Sequence, residues 1–245
     1  MISRPSIGLL VVLVFASGFG SDTFAEITIV PGVDLREVDL RGVNLEGASL
    51  AGANLTGADL SGANLKGADL REAYLREVSA EGANFSGAQL DKADPTRAHA
   101  SEARFDGASL SLARLDASRL ENASFVGAFM PGSSLIKVRG EGANFKNASL
   151  SDANLSQAVF ISANFSGANL GGRSQGHPGP SGAILKGTNL SYADLSKANL
   201  VNASLNQAII KKANFTDANL GFADLSWSRA AGAKFNGTDM GWVRA

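Results

Sequence analysis

From Leu35 to Met240 a large apolar residue recurs at almost every fifth position, and the residue two places before it is nearly always Ala, with Val, Ser or Thr as substitutes. The run Ala53-Asn-Leu-Thr-Gly-Ala-Asp-Leu60-Ser-Gly-Ala-Asn-Leu65 shows the unit: a small residue, Asn or Asp, Leu, then two polar or Gly positions. This period fits neither regular structure. In an α-helix, residues five apart sit roughly 140° from each other, so the leucines would wind round the rod. In a strand, an odd period sends successive leucines to opposite faces. The pattern works only if the chain turns a corner once per unit. Leu and the small residue before it then point inward, and the Asn or Asp between them points outward. Gly two places after Leu, as at Gly57 and Gly62, suits such a corner because it tolerates left-handed dihedrals.

The phenylalanines count the corners. Phe85, Phe105, Phe125, Phe145 and Phe165 are each four units apart, so four corners close one coil and the rings stack on one inner side. Self-similarity of this kind marks a solenoid. Leu55, Leu60 and Leu65 are expected in its core, as are Phe215 and Phe235. These last two are half a coil out of phase with Phe165. Looping out two units within Gly171–Gly182, a Gly- and Pro-rich stretch, restores them to the Phe column and Ala230 to the column of Ala80, Ala100 and Gly140. About ten coils remain, a rod of roughly 48 Å.

Tandem Ala-(Asn/Asp)-Leu-x-x units from Val33 to Met240 resemble those of the pentapeptide-repeat proteins. The resemblance implies an all-β fold, a right-handed quadrilateral parallel β-helix. It says little about function, because one scaffold hosts many roles. The expected order is a signal peptide over 1–25, an N-terminal cap strand over 26–34, and repeats over 35–170. A protruding loop over 171–182 follows, then repeats over 183–240 and a tail over 241–245, in which Trp242 covers the last coil or meets a second molecule. The leader reading rests on Arg4, the apolar run Ile7–Ala16 and the small-x-small site Thr23-Phe24-Ala25. That apolar run is too short for a stable transmembrane span. Export to the periplasm, or to the thylakoid lumen of a photosynthetic source, is therefore expected.

Chemistry is sparse. The chain has no Cys, and its two histidines, His99 and His177, are far apart. No spacing suits a metal or a cofactor, and no nucleophile has a partner base, so the expectation is a non-enzymatic structural or interaction rod. A net charge of −1 disfavours nucleic acid as a partner. One outward column runs Asp39, Asp59, Ser79, His99, Arg119, Arg139, turning from acidic to basic where the inward Leu is lost. With Arg76, Arg97 and Lys137 it forms a candidate face for an unknown protein or anionic ligand. The open ends of a parallel stack also leave an end-to-end or C-terminal homodimer possible. An alternative follows from the resemblance: some pentapeptide-repeat proteins mimic DNA and protect or inhibit a type II topoisomerase. Those are strongly acidic and carry a dimer helix, neither of which is seen here.

Overall fold

The computed structural model describes residues 32–172 and 182–245. The expected leader, most of the cap strand and the interior of the loop lie outside them. Each unit contributes one side of a four-sided coil, and each side holds a single rung residue rather than a continuous strand. Rungs join residues twenty apart in parallel: Asp34 to Asn54 on side one, Asp39 to Asp59 on side two, Asn44 to Asn64 on side three, and Ser49 to Asp69 on side four. Two hydrogen bonds make a rung, as where Leu35 N–H donates to Asn54 O (2.7 Å) and Asn54 N–H to Val33 O (2.8 Å).

The corners follow one rule. Ala48 N–H donates to Leu45 O at 3.0 Å, closing a four-residue turn whose third residue, Gly47, has φ +67°. Positive φ at the third place alone is the type II signature. Side chains also occupy that place, among them Glu37, Lys92 and Trp242, at a cost of roughly 1–2 kcal/mol each where Gly would be free. The outward Asn or Asp eases the bend. Asn54 Oδ1 accepts from Thr56 N–H (3.2 Å) and Asp59 Oδ1 from Ser61 N–H (3.0 Å), an Asx turn at the corner. Choice of Asn or Asp before Leu is thus local backbone chemistry.

Inside, Leu55, Leu60 and Leu65 are fully buried. The rings of Phe85, Phe105, Phe125, Phe145 and Phe165 stack at 4.7–4.8 Å, within 5° of parallel. Across the loop the rung partners are thirty apart, as in Asn154 with Ile184 and Asn169 with Asn199, and beyond it they are twenty apart again. Phe215 accordingly returns to the Phe column and stacks on Phe235 at 5.1 Å. An antiparallel pair, Gly171 with Gly182, closes the base of the loop.

Three details differ from the sequence-based picture. Gly140 leaves no hole, because the Phe160 ring fills its place and packs edge-on against Phe145 and Phe165, 5.3 Å from each. Residues 241–245 are no tail: Arg244 pairs with Asp224 and Val243 N–H closes another corner on Met240 O. Trp242 does not cover the last coil but stands 82% exposed at a corner, and Phe235 in that coil is only partly buried.

Candidate functional site

The irregular face begins at Pro95. Proline lacks the N–H that should reach Arg114 O, and the Asp94–Arg114 rung is the one missing along side one among the described residues. The Thr96 hydroxyl, 3.4 Å from Arg114 O, partly replaces it. Beneath lies an apolar cavity of about 20 Å³ beside Ala80, Ala100 and Leu120. It could hold one water by size, but the adjoining Ser118 hydroxyl already donates to Pro95 O at 2.7 Å, so nothing polar is left to bind one.

On side two, rungs connect Ser79, His99, Arg119 and Arg139, and the flanking corners carry Arg76, Arg97 and Lys137. The six candidate residues therefore share one face. Carboxylates accompany them. Arg76 Nε lies 2.7 Å from Asp94, Arg97 3.2 Å from Glu77, and Arg119 and Arg139 share Glu121 at 3.4 and 3.6 Å; Arg139 also reaches Glu141 at 3.6 Å. Lys137 has no ion pair among the described residues. Burial pushes the Asp94 carboxyl up, yet hydrogen bonds from Thr96 and Arg76 outweigh it and hold the group below the usual range. The column is basic, while the face as a whole is mixed. An anionic ligand here would compete with carboxylates already in place. Farther up, Asp39 is pulled down to about 2 by hydrogen bonds from Arg41.

A second feature escaped the sequence reading. Tyr192, Phe222, Trp227 and Trp242 all occupy the left-handed corner position, with φ of 58–63°, and are 51–86% exposed. They cluster in the last coils of the rod. Phe222 and Trp242 lie one coil apart with ring planes within 6° and centroids 6.4 Å apart. Beside them on side one runs an open groove of about 670 Å³, lined by Asn202, Ser204, Phe222, Asp224, Trp242 and Arg244. Hydrogen bonding to Ser226 keeps the Asp224 carboxyl below its ordinary range, with the Arg244 charge adding to it. The signal was present in the sequence as aromatic residues two places after the inward Leu or Met, a place that Gly or a polar side chain takes at most other corners.

The model of pentapeptide repeats matches in eight copies, spanning residues 32–67, 58–94, 81–116, 96–130, 141–172, 183–221 and 208–244. This chain belongs to the pentapeptide-repeat family. Its fold is the right-handed quadrilateral β-helix of that family. Among solved structures, the chain is similar to QnrB1, a plasmid-mediated fluoroquinolone resistance protein, at 18% identity and TM-score 0.55, over 84% of this chain and 89% of that one. HetL, a regulator of heterocyst differentiation from the cyanobacterium Nostoc, shares 27% identity over 85% of this chain and 89% of its own, at TM-score 0.44. A pentapeptide-repeat protein of the Arabidopsis thaliana thylakoid lumen shares 28% over 46% of this chain and 64% of its own, at TM-score 0.27. Sequence comparison with curated proteins finds no match. The likeness to QnrB1 speaks to fold alone. Among the described residues there is no cluster of metal-ligating side chains and no helix long and apolar enough to cross a membrane.

Proposed function

We propose that this pentapeptide-repeat protein is an exported, non-enzymatic interaction rod whose outer faces display side chains at fixed register to a partner. The observation that carries the reading is the division of labour in the repeat. Inward positions are consumed by packing, and Asn or Asp at the rung position by corners, so what is free for a partner is the corner side chains together with rung residues such as His99, Arg119 and Arg139 that are neither Asn nor Asp. Membership of a family of structural and interaction proteins supports it, and the leader-like residues 1–25 support export.

The side-two face is one docking surface within this reading, for a protein or ligand bearing anionic groups. Arginine suits that task because its planar fork can bind two oxygens at once, though here it must first release Glu121 or Asp94. Tagged protein recovered from the exported fraction should carry a mature N-terminus at Glu26 and retain a specific partner. Arg119→Glu with Arg139→Glu should weaken that capture, and added salt should mimic the substitutions. Asp39→Lys with Asp59→Lys, coils away on the same side, should not. Equal loss from both pairs, or an unprocessed cytosolic protein, would sink the reading. Self-association through the partly open last coil belongs to the same proposal and is read by sedimentation.

A further inference from the structure

We infer that side two of the last coils is a membrane-docking face, which lies flat on an anionic lipid surface. These coils follow the Arg119–Arg139 level, and their occupant differs from the partner proposed for it.

Charge is the first ground. From Ser156 to Gly232, side two and its two corners carry Lys186, Lys211, Lys212 and Arg229 and not one carboxylate. The acids of these coils lie elsewhere: Asp194 on side three, Asp217 on the corner between sides three and four, and Asp224 on side one. All four cations are exposed, and none has an ion pair among the described residues. Nearer the middle of the rod the case is different, since Arg119 and Arg139 share Glu121. Cations gathered without counter-charge project a positive field beyond the surface, over a Debye length of about 8–10 Å.

The second ground is the apolar surface among them. Val159 and Ile209 occupy outward rung positions that Asp39, Asp59 and Arg119 fill lower on the same side, and Ile161 sits on the flanking corner. Trp227 on one corner is 86% exposed, and Tyr192 on the other is 51% exposed. Trp and Tyr favour the boundary between water and lipid, with the ring in the apolar layer and the N–H or O–H among headgroups. Lys212 Nζ lies 5.4 Å from the centre of the Tyr192 ring, which keeps the ammonium beside the aromatic. Lysine stems can rest on apolar surface while their ammonium groups reach phosphates.

Shape is the third. Val159, Asn189, Ile209 and Arg229 pair in unbroken succession, so this side is a plane about 14 Å long over three coil steps. Its aliphatic rungs lie between cationic and aromatic corners. That pattern suits a bilayer surface, where apolar burial and attraction to anionic headgroups add. Single-stranded nucleic acid favours a basic groove that tracks its backbone, and the large open groove of these coils is on side one.

The test uses the full chain and co-sedimentation with two kinds of vesicle: phosphatidylglycerol and phosphatidylcholine in equal parts, or phosphatidylcholine alone. The apolar run Ile7–Ala16 is common to every variant, so comparison between variants cancels it. The parent should bind the anionic vesicles at least tenfold more tightly, and added salt should erase the difference. Lys211→Glu with Arg229→Glu should weaken that binding at least tenfold, since each cation near an anionic surface is worth roughly fivefold. Lys146→Glu with Lys197→Glu alters net charge equally at the corner between sides three and four, and should bind as the parent does. Both pairs should melt as the parent does, because all four residues are exposed. In Trp242→Phe, Trp227 is the sole indole, and its emission should shift to the blue on anionic vesicles alone. Equal affinity for the two lipids, equal loss from the two pairs, or an unmoved Trp227 emission would overturn the proposal. So would binding of oligothymidylate or polyglutamate that is tighter than that of vesicles and lost in the side-two pair, which would assign the face to a nucleic acid or an acidic protein.

Discussion

Replacing Gly140 by Ala should destabilise the rod, although Ala80 and Ala100 stand in the same inward column. A Cβ built there would lie 2.5 Å from Phe160 Cε1 and 2.7 Å from Cδ1, inside any tolerable contact. The ring cannot swing aside, because Phe145 and Phe165 hold it edge-on at 5.3 Å from each. Overpacking of this kind costs about 1–3 kcal/mol. An opposing effect must be weighed. Gly140 does not sit at positive φ, so Ala would also restrict the unfolded chain, worth about 0.4–1 kcal/mol in favour of folding. The steric cost is larger, and each net kcal/mol should lower the melting temperature by about 2–4 °C in a domain of this size. Thermal melts by circular dichroism would show it. Adding Phe160→Leu to Gly140→Ala should recover part of the loss, a coupling of opposite sign to the single changes. A neutral or stabilising Gly140→Ala would refute the interlock between these two residues.

Phe125→Ala should cost about 3–5 kcal/mol in urea denaturation, because the ring is fully buried between Phe105 and Phe145 and the laddered backbone cannot collapse into the hole. Deleting Gly172–Ser181 should preserve the fold, since Gly171 and Gly182 already pair across the base; deleting five of those residues should turn every later column by one side and lower stability, and equal melts would refute the register. Acid should reveal Asp94. Its folded pKa is depressed, so its contribution is complete above about pH 4 and is lost as pH falls through the lowered value; Asp94→Asn should flatten that acid limb, and an unchanged limb would count against the Arg76–Asp94–Thr96 contacts.

The path of the chain was legible because it is written in one-dimensional periods. Leu at every fifth place gives the corners, Phe85 to Phe165 give the coil, and the phase of Phe215 against Phe165 gives the ten-residue excursion. Each needs only a count along the sequence. What escaped depends on pairs of side chains. Gly140 and Phe160 sit one coil apart in a single column, but their fit is a matter of volume, which spacing does not express. Glu121 stands two residues after Arg119, yet whether it turns toward the arginine is a question of rotamers. The aromatic corners were hidden by the turn rule itself, which reads the second place after Leu as polar or Gly. Trp242 and Phe222 stand there because the left-handed corner throws its side chain outward, a direction visible only once the dihedral is known.

The gap left by Pro95 also has a mechanical meaning. Sides two, three and four carry unbroken rungs past that level, and side one does not. Bending that opens side one there stretches a single backbone hydrogen bond of the rung, Arg114 N–H to Ala93 O at 3.0 Å, while opening any other side stretches two, each worth about 0.5–1.5 kcal/mol. The rod therefore behaves as a beam with a single notch, compliant in one plane and stiff in the other. Its first coils nod away from the remainder most easily by hinging open along side one. A polymer or partner strand lying across Asp94 and Arg114 would act as a splint, turning a jointed rod into a rigid one.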